Sequence, residues 1–249
     1  MSSKSKLIIN CGATHVSASE FGVSAGRLVL ESFQVQELKY DYSNQEEWLS
    51  ELAATLKMMR VSGKATVIAP SMLLLTKTIK IPHVDEARRA EVIQFEAEKN
   101  IPYPINEVSW DYEIISDDGV ETEIFLTSMK STAADDFCMA LSQAGVIPES
   151  IEASSILDYN AWKYCGLEND VILLNVGSRF TNLMIAREDG VFVRSIPVGG
   201  NSITQAVADS LGCDFVKAEE LKCECVAFLE CGSGALYKCG DVRDAQDRS

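Results

Sequence analysis

Positive charge is scarce in this sequence: 22 Lys and Arg stand against 37 Asp and Glu, a formal net charge of −15. So acidic a chain repels phosphate backbones and anionic headgroups, which argues against binding nucleic acid or inserting directly into a membrane surface. Long apolar runs are also missing. No uninterrupted apolar segment reaches spanning length, and no basic stretch leads into an apolar one after Met1, so neither a membrane span nor a secretory leader is read. The expectation is a cytoplasmic chain whose 8 cysteines are reduced, held at any membrane by something else. Proline is sparse, at 6 residues, while 47% of residues are hydrophobic, which excludes a disordered chain. The 249 residues suffice for one large domain or two modest ones, and no low-complexity segment precedes the final tail.

What the sequence does contain is a repeat. "KLIINCGATHVSASEF" (Lys6 to Phe21) and "VILLNVGSRFTNLMI" (Val171 to Ile185) each run strand, Asn-x-Gly, small or hydroxyl residues, second strand. The corner asparagines, Asn10 and Asn175, lie 165 positions apart (175 minus 10). A strand that reverses through such a turn presents backbone N–H groups on one side, and Gly12 and Gly177 would let that backbone approach an anion with no Cβ in the way. Ala13 continues the first turn, and Thr14, Ser178 and Thr181 could add hydroxyl donors. Gly199 and Gly200 lead into a helix N-terminus that supplies further N–H groups. Read singly, each corner is an ordinary tight hairpin; read together with the Gly-Gly helix start, they point to a clamp on a phosphate chain. His15 is given no catalytic role, its ring expected to meet solvent or packing.

Elsewhere the patterning is mixed. A hairpin is expected through Ser24-Ala25-Gly26, then a helix in "YSNQEEWLSELAATLKMM", with Ser43 and Glu46 at capping-box spacing and Trp48, Leu49, Leu52, Ala53, Leu56 and Met59 on one stripe. "KATVIAP" reads as a buried strand ended by Pro70. A second texture begins near Lys77. An alternating strand leads to a charged helix with Ala87, Ala90, Ile93 and Ala97 inward, stopped by Pro102 and Pro104. Two strands divided by Asp117-Asp118-Gly119 follow, and then a helix from Ser131 to Ala144. This reads as an α+β module that interrupts the earlier pattern. "SIEASSILDYNAWKYCG" is expected as a helix ending at Gly166, a hairpin is expected through Glu188-Asp189-Gly190, and "SITQAVADSLG" as a helix capped by Asn201 and stopped by Gly212.

This order of corner, strands, helix, interposed module, second corner and "IPVGGNSITQAVADSLG" resembles the actin-like ATPase superfamily. Within it, "FEAEKNIPYPINEVSWDYEII" is similar to the small inserted subdomain of the PilM family of type IV pilus assembly proteins, and "AEELK" (Ala218 to Lys222) to that family's continuation. FtsA, the cell-division relative, is similar in plan but a poorer match. The fold class implied is α/β, with actin-like (ribonuclease H-like) lobes, an inserted small α+β subdomain and a second lobe that is incomplete. Its expected divisions are a first lobe over 1–75 and 148–168, the inserted subdomain over 76–147, the start of the second lobe over 169–222, and a Cys-rich tail over 223–249. The resemblance implies ATP bound between the lobes, through Asn10, Gly12, Ala13, Thr14, Asn175, Gly177, Ser178, Thr181, Gly199 and Gly200. It also implies a PilN-type inner-membrane partner whose short N-terminal cytoplasmic peptide sits between the first lobe and the inserted subdomain, with Ile93, Phe95 and Tyr103 as candidate walls. A sugar-kinase-like phosphotransferase and an FtsA-like filament-forming ATPase are the alternatives within the superfamily.

The sequence departs from this family in two ways. Both corners carry Asn where actin-like sites commonly carry Asp, and Mg²⁺ prefers anionic oxygen. Each lost charge removes attraction on the order of a few kcal/mol at intermediate dielectric, so weak hydrolysis at most is expected, with Mg²⁺ disfavoured and no catalytic residue assigned. The tail "CECVAFLECGSGALYKCGDVRDAQDRS" matches nothing in the family. Its Cys223, Cys225, Cys231 and Cys239 lack paired knuckle spacing and a following histidine, so a truncated or frame-shifted end explains it more simply than zinc, and no metal ligands are assigned.

Overall fold

The computed structural model describes residues 5–40, 44–166, 170–187 and 190–224. These fall into two units that divide between Pro197 and Val198.

The first unit begins with β1 (Lys6–Cys11), β2 (His15–Ser24) and β3 (Arg27–Glu37), three antiparallel strands. The turn between β2 and β3 puts Ala25 and Gly26 at positive φ, as a two-residue hairpin demands. After α1 (Gln45–Met58), β4 (Gly63–Ala69) runs parallel to β1. β8 (Val146–Ala153) then runs parallel to β4, which gives a five-stranded sheet in the order β3-β2-β1-β4-β8. Asn44 caps α1, accepting from the N–H groups of Glu46 and Glu47 at 3.0 and 3.3 Å; Ser43, the expected cap, lies outside the described residues. The inward stripe of α1 buries Trp48, Leu52, Ala53 and Leu56 as read from sequence.

A second sheet, in the order β5-β7-β6, comprises β5 (Leu75–Pro82), β6 (Val108–Asp117) and β7 (Glu121–Lys130). α2 (Glu86–Asn100) lies between β5 and β6 in the chain, ends before Pro102, and buries Ile93 and Ala97. Ile93 joins Ile81 and Ile124 in one cluster; Ala97 joins Leu126 and Ile101 in another. Ala87 and Ala90, expected on the same inward face, are exposed, because the packing is confined to the C-terminal half of the helix. α3 (Ser131–Gln143) turns back to the first sheet, where Phe137 stacks on Trp48 at 5.9 Å between ring centroids and Leu141 joins the same core.

β8 differs from expectation. The segment "SIEA" is strand, and only from Ser154 does α4 (Ser154–Cys165) begin, closed by Gly166 at φ +60°. Ile151 and Ala153 earn the strand by lying beside Val67 and Ala69 of β4, a long-range pairing that local pattern does not carry. Pro148 sits next to the register shift in this pairing, on the sheet's outer strand, where its missing N–H is tolerated.

The third sheet holds β9 (Val171–Val176), β10 (Thr181–Arg187) and β11 (Gly190–Ile196), antiparallel in the order β11-β10-β9. Glu188 and Asp189 of the expected hairpin lie outside the described residues. Met184, Ala186, Val191 and Val193 pack with Tyr159 and Trp162 of α4 and with Phe125 of β7. The second and third sheets also meet through polar groups. Val191 N–H donates to both oxygens of the buried Glu123 carboxylate at 3.2 Å, and Val193 N–H to the Thr78 hydroxyl at 3.1 Å.

The second unit holds α5 (Gly200–Leu211) and α6 (Phe215–Glu224). Gly199 is the N-cap of α5, with Asn201 already inside the first turn, so the expected Asn201 cap is not formed; Gly212 closes the helix at φ +62° as read. Among the described residues no helix is long and apolar enough to cross a membrane.

Candidate functional site

The two corners are built alike. Gly12 N–H donates to the carbonyl of His15 at 2.8 Å, and 165 positions later (177 minus 12) Gly177 N–H donates to the carbonyl of Phe180 at 2.9 Å. In the register of the flanking strands Asn10 pairs with Ser17, and Asn175 with Asn182. A Cβ on Gly12 would stand 2.8 Å from the His15 oxygen, and one on Gly177 3.0 Å from the Phe180 oxygen. Closure of each turn thus leaves little room for a Cβ at either place, least at Gly12. The N–H groups of the two glycines are likewise spent inside the turns.

The N–H groups of the first corner are set by what holds its carbonyls. Trp48 Nε1 donates to the Gly12 carbonyl at 3.2 Å, the Tyr40 hydroxyl to that of Ala13 at 2.6 Å, and Leu38 N–H to that of Thr14 at 2.8 Å. In a planar trans peptide the C=O and N–H point in opposite directions. The N–H groups of Ala13, Thr14 and His15 are thus turned away from these donors, on the stretch of chain that lines a cavity.

That cavity, about 380 Å³, is shared by both corners: Asn10, Gly12, Ala13 and Thr14 line it from the first, and Asn175, Gly177 and Ser178 from the second. Thr181, the first residue of β10, does not line it. Gly199 and Gly200 belong to the second unit. His15 does line the cavity, its Nδ1 within 3.0 Å of the Thr14 hydroxyl. Sequence reasoning missed Arg179, Ser71, Ser154 and Asn182. For Arg179 a signal existed: it stands two places after Gly177 as Thr14 stands two places after Gly12. Ser71, Ser154 and Asn182 come from separate stretches, and no local spacing unites them.

Asn182 is buried and fully engaged. Its oxygen accepts from the hydroxyls of Ser71 and Ser195 at 3.0 and 2.8 Å, and its amide donates to the Ser154 hydroxyl at 2.8 Å and to Asp158 at 3.5 Å. Asn175 Nδ2 donates to both Asp158 oxygens, at 3.0 and 3.3 Å. Burial raises the pKa of the Asp158 carboxyl, and the bonds from Asn175 and Asn182 pull against that rise. Asp158 stands behind these amides and does not itself line the cavity. Among the described residues lining the cavity there is no Asp or Glu, and Arg179 is the one Lys or Arg. The donor set fits an anion. It does not fit Mg²⁺, which seeks carboxylate oxygen. Among the described residues no group of three or more His, Cys, Asp or Glu could hold a metal ion. Cys225, Cys231 and Cys239 lie outside the described residues.

The expected peptide walls fare differently. Ile93 is 0% exposed, sealed in the core beneath α2. Phe95 and Tyr103 are 58% and 41% exposed, each covered by a lysine, Lys99 at 3.9 Å and Lys130 at 4.4 Å from the ring centroid. Neither lines the apolar groove of about 180 Å³ where β6 and β7 face the first sheet; Leu74, Trp110, Met129 and Ile151 do. In the second unit, Lys222 Nζ donates to the Gly200 carbonyl at 3.3 Å and to Thr204 at 2.8 Å, and bonds Glu219, which also meets the Thr204 hydroxyl. These bonds tie α6 to the first turn of α5.

Among solved structures, the PilM-PilN type IV pilus biogenesis complex is similar, at TM-score 0.72 and 22% identity, over 87% of this chain and 68% of that one. The ethanolamine utilization protein EutJ from Carboxydothermus hydrogenoformans gives TM-score 0.48 and 11% identity over 89% of this chain and 62% of that one. A Bacteroides thetaiotaomicron protein with an actin-like ATPase fold gives 0.48 and 9% over 86% and 79%. Among curated proteins none matches. The fold is the α/β, actin-like one anticipated. A family model described as type IV pilus assembly protein PilM matches residues 9–227, most of the length, and the chain belongs to that family.

Proposed function

We propose that this protein is a scaffold of type IV pilus assembly that holds the polyphosphate of ATP between its two corners and grips a short peptide of a PilN-type membrane partner. The observation that carries the nucleotide half is the shared cavity, lined among the described residues by both corners, by hydroxyl side chains and one arginine, and by no carboxylate, in a chain of net charge −15. The Asn residues at positions 10 and 175 support binding with little or no hydrolysis.

For the partner half, family membership and the likeness to a PilM-PilN complex supply the expectation, and the apolar groove supplies a place. In this reading β5, α2, β6 and β7 form the gripping module, while α3 serves the first lobe. An extended peptide would seat apolar side chains against Trp110, Met129, Leu74 and Ile151. Location at the cytoplasmic face of the inner membrane follows from that partner. Pull-down with a PilN-type N-terminal peptide tests it: capture by the wild type and loss with Trp110→Ala are expected. Capture that survives Trp110→Ala, but fails when Phe95 and Tyr103 are changed, would move the site back to the walls read from sequence.

A further inference from the structure

We infer that the cleft takes its polyphosphate free of Mg²⁺, with Arg179 supplying the countercharge that a metal ion would otherwise bring. The inference rests on the reading of the cleft as a phosphate site and adds the form of the ligand and the residue that selects it. A triphosphate arrives with three to four negative charges, roughly, and the cleft must compensate them. The corner positions from which a carboxylate could hold a hydrated cation are Asn10 and Asn175, both neutral. Asp158, the carboxylate bonded to this network, lies behind Asn175 with its oxygens turned to the Asn175 and Asn182 amides. With no carboxylate among the described lining residues, a metal ion would bring its full charge into a site of amides, hydroxyls and a guanidinium that repels it.

Compensation is available without metal. Thr14, which pairs its hydroxyl with His15, and Arg179 hold equivalent places in the two turns, so the second corner presents a cation where the first presents a hydroxyl. Among the described residues Arg179 forms no ion pair. A guanidinium offers five N–H donors in a fork that matches two phosphate oxygens at once, and it remains charged at every physiological pH. The first corner, pinned by Trp48, Tyr40 and Leu38, provides the fixed N–H wall opposite.

Titration calorimetry of the full chain with ATP and with inorganic triphosphate, each in EDTA and in excess Mg²⁺, tests this. Expected is binding in EDTA at least as tight as in Mg²⁺, with Arg179→Gln weakening it about tenfold or more and Arg179→Lys recovering part of the loss. The melting temperature of the unliganded variants should match the wild type, since among the described residues Arg179 forms no ion pair. Asn10→Asp should weaken the EDTA value and create a Mg²⁺ requirement. Binding that requires Mg²⁺ in the wild type, or an Arg179→Gln variant that binds undiminished, overturns the inference and leaves the phosphate site standing. If neither anion binds in either buffer, the phosphate reading falls with it.

Discussion

At Asn175 the choice between amide and carboxylate is governed by Asp158, whose two oxygens it faces at 3.0 and 3.3 Å. An aspartate there would set two carboxylates against each other, and the pair could relieve itself only by holding a proton. Asn175→Asp should therefore cost roughly 1–3 kcal/mol of unfolding free energy at neutral pH and less at pH about 5, measured by urea denaturation. In the wild type, burial holds the Asp158 pKa above its ordinary value. Its contribution to stability is thus present in full below the unfolded pKa and is lost as pH rises through the folded one. Relative to the wild type, Asp158→Asn should gain stability as pH is raised from about 4 to 7; a difference that does not move with pH would contradict this. Tyr40→Phe removes the 2.6 Å bond to the Ala13 carbonyl, so a loss of about 1 kcal/mol is expected, with altered amide shifts at Ala13 and Thr14 in NMR.

At the scale of elements, the corners were legible because Asn-x-Gly between alternating runs is a local signal, and the first hairpin, α1 and the cap glycines were legible for the same reason. What escaped was non-local. β8 is a strand only beside β4, and α3 belongs to the first core through Phe137 on Trp48. The bond from the Val191 N–H to the Glu123 carboxylate joins residues 68 positions apart. The glycine corners carry the sharpest test. Because the His15 oxygen is backbone and cannot yield as a side chain would, Gly12→Ala should cost about 1–3 kcal/mol, and more than Gly177→Ala, whose contact is slightly longer. Glu123→Ala leaves Val191 N–H without that acceptor, and a loss of about 1–3 kcal/mol is expected, with faster hydrogen exchange at Val191 as the reporter.

Across the whole molecule, charge and site are at odds. The chain carries a surplus of acidic side chains, yet among the described residues lining the cavity there is no carboxylate, so an approaching polyanion meets the repulsion of the net charge at a distance and attraction only on arrival. Sequence composition made the first half of this legible. The second half required the fold, since the lining is gathered from both corners, the turn after β4 and the start of α4. For a ligand with several negative charges, the kinetics should invert the usual salt effect. Added electrolyte screens the outer repulsion over a Debye length of about 10 Å at 0.1 M, so stopped-flow capture should quicken with ionic strength while escape, governed by contacts at short range, changes less.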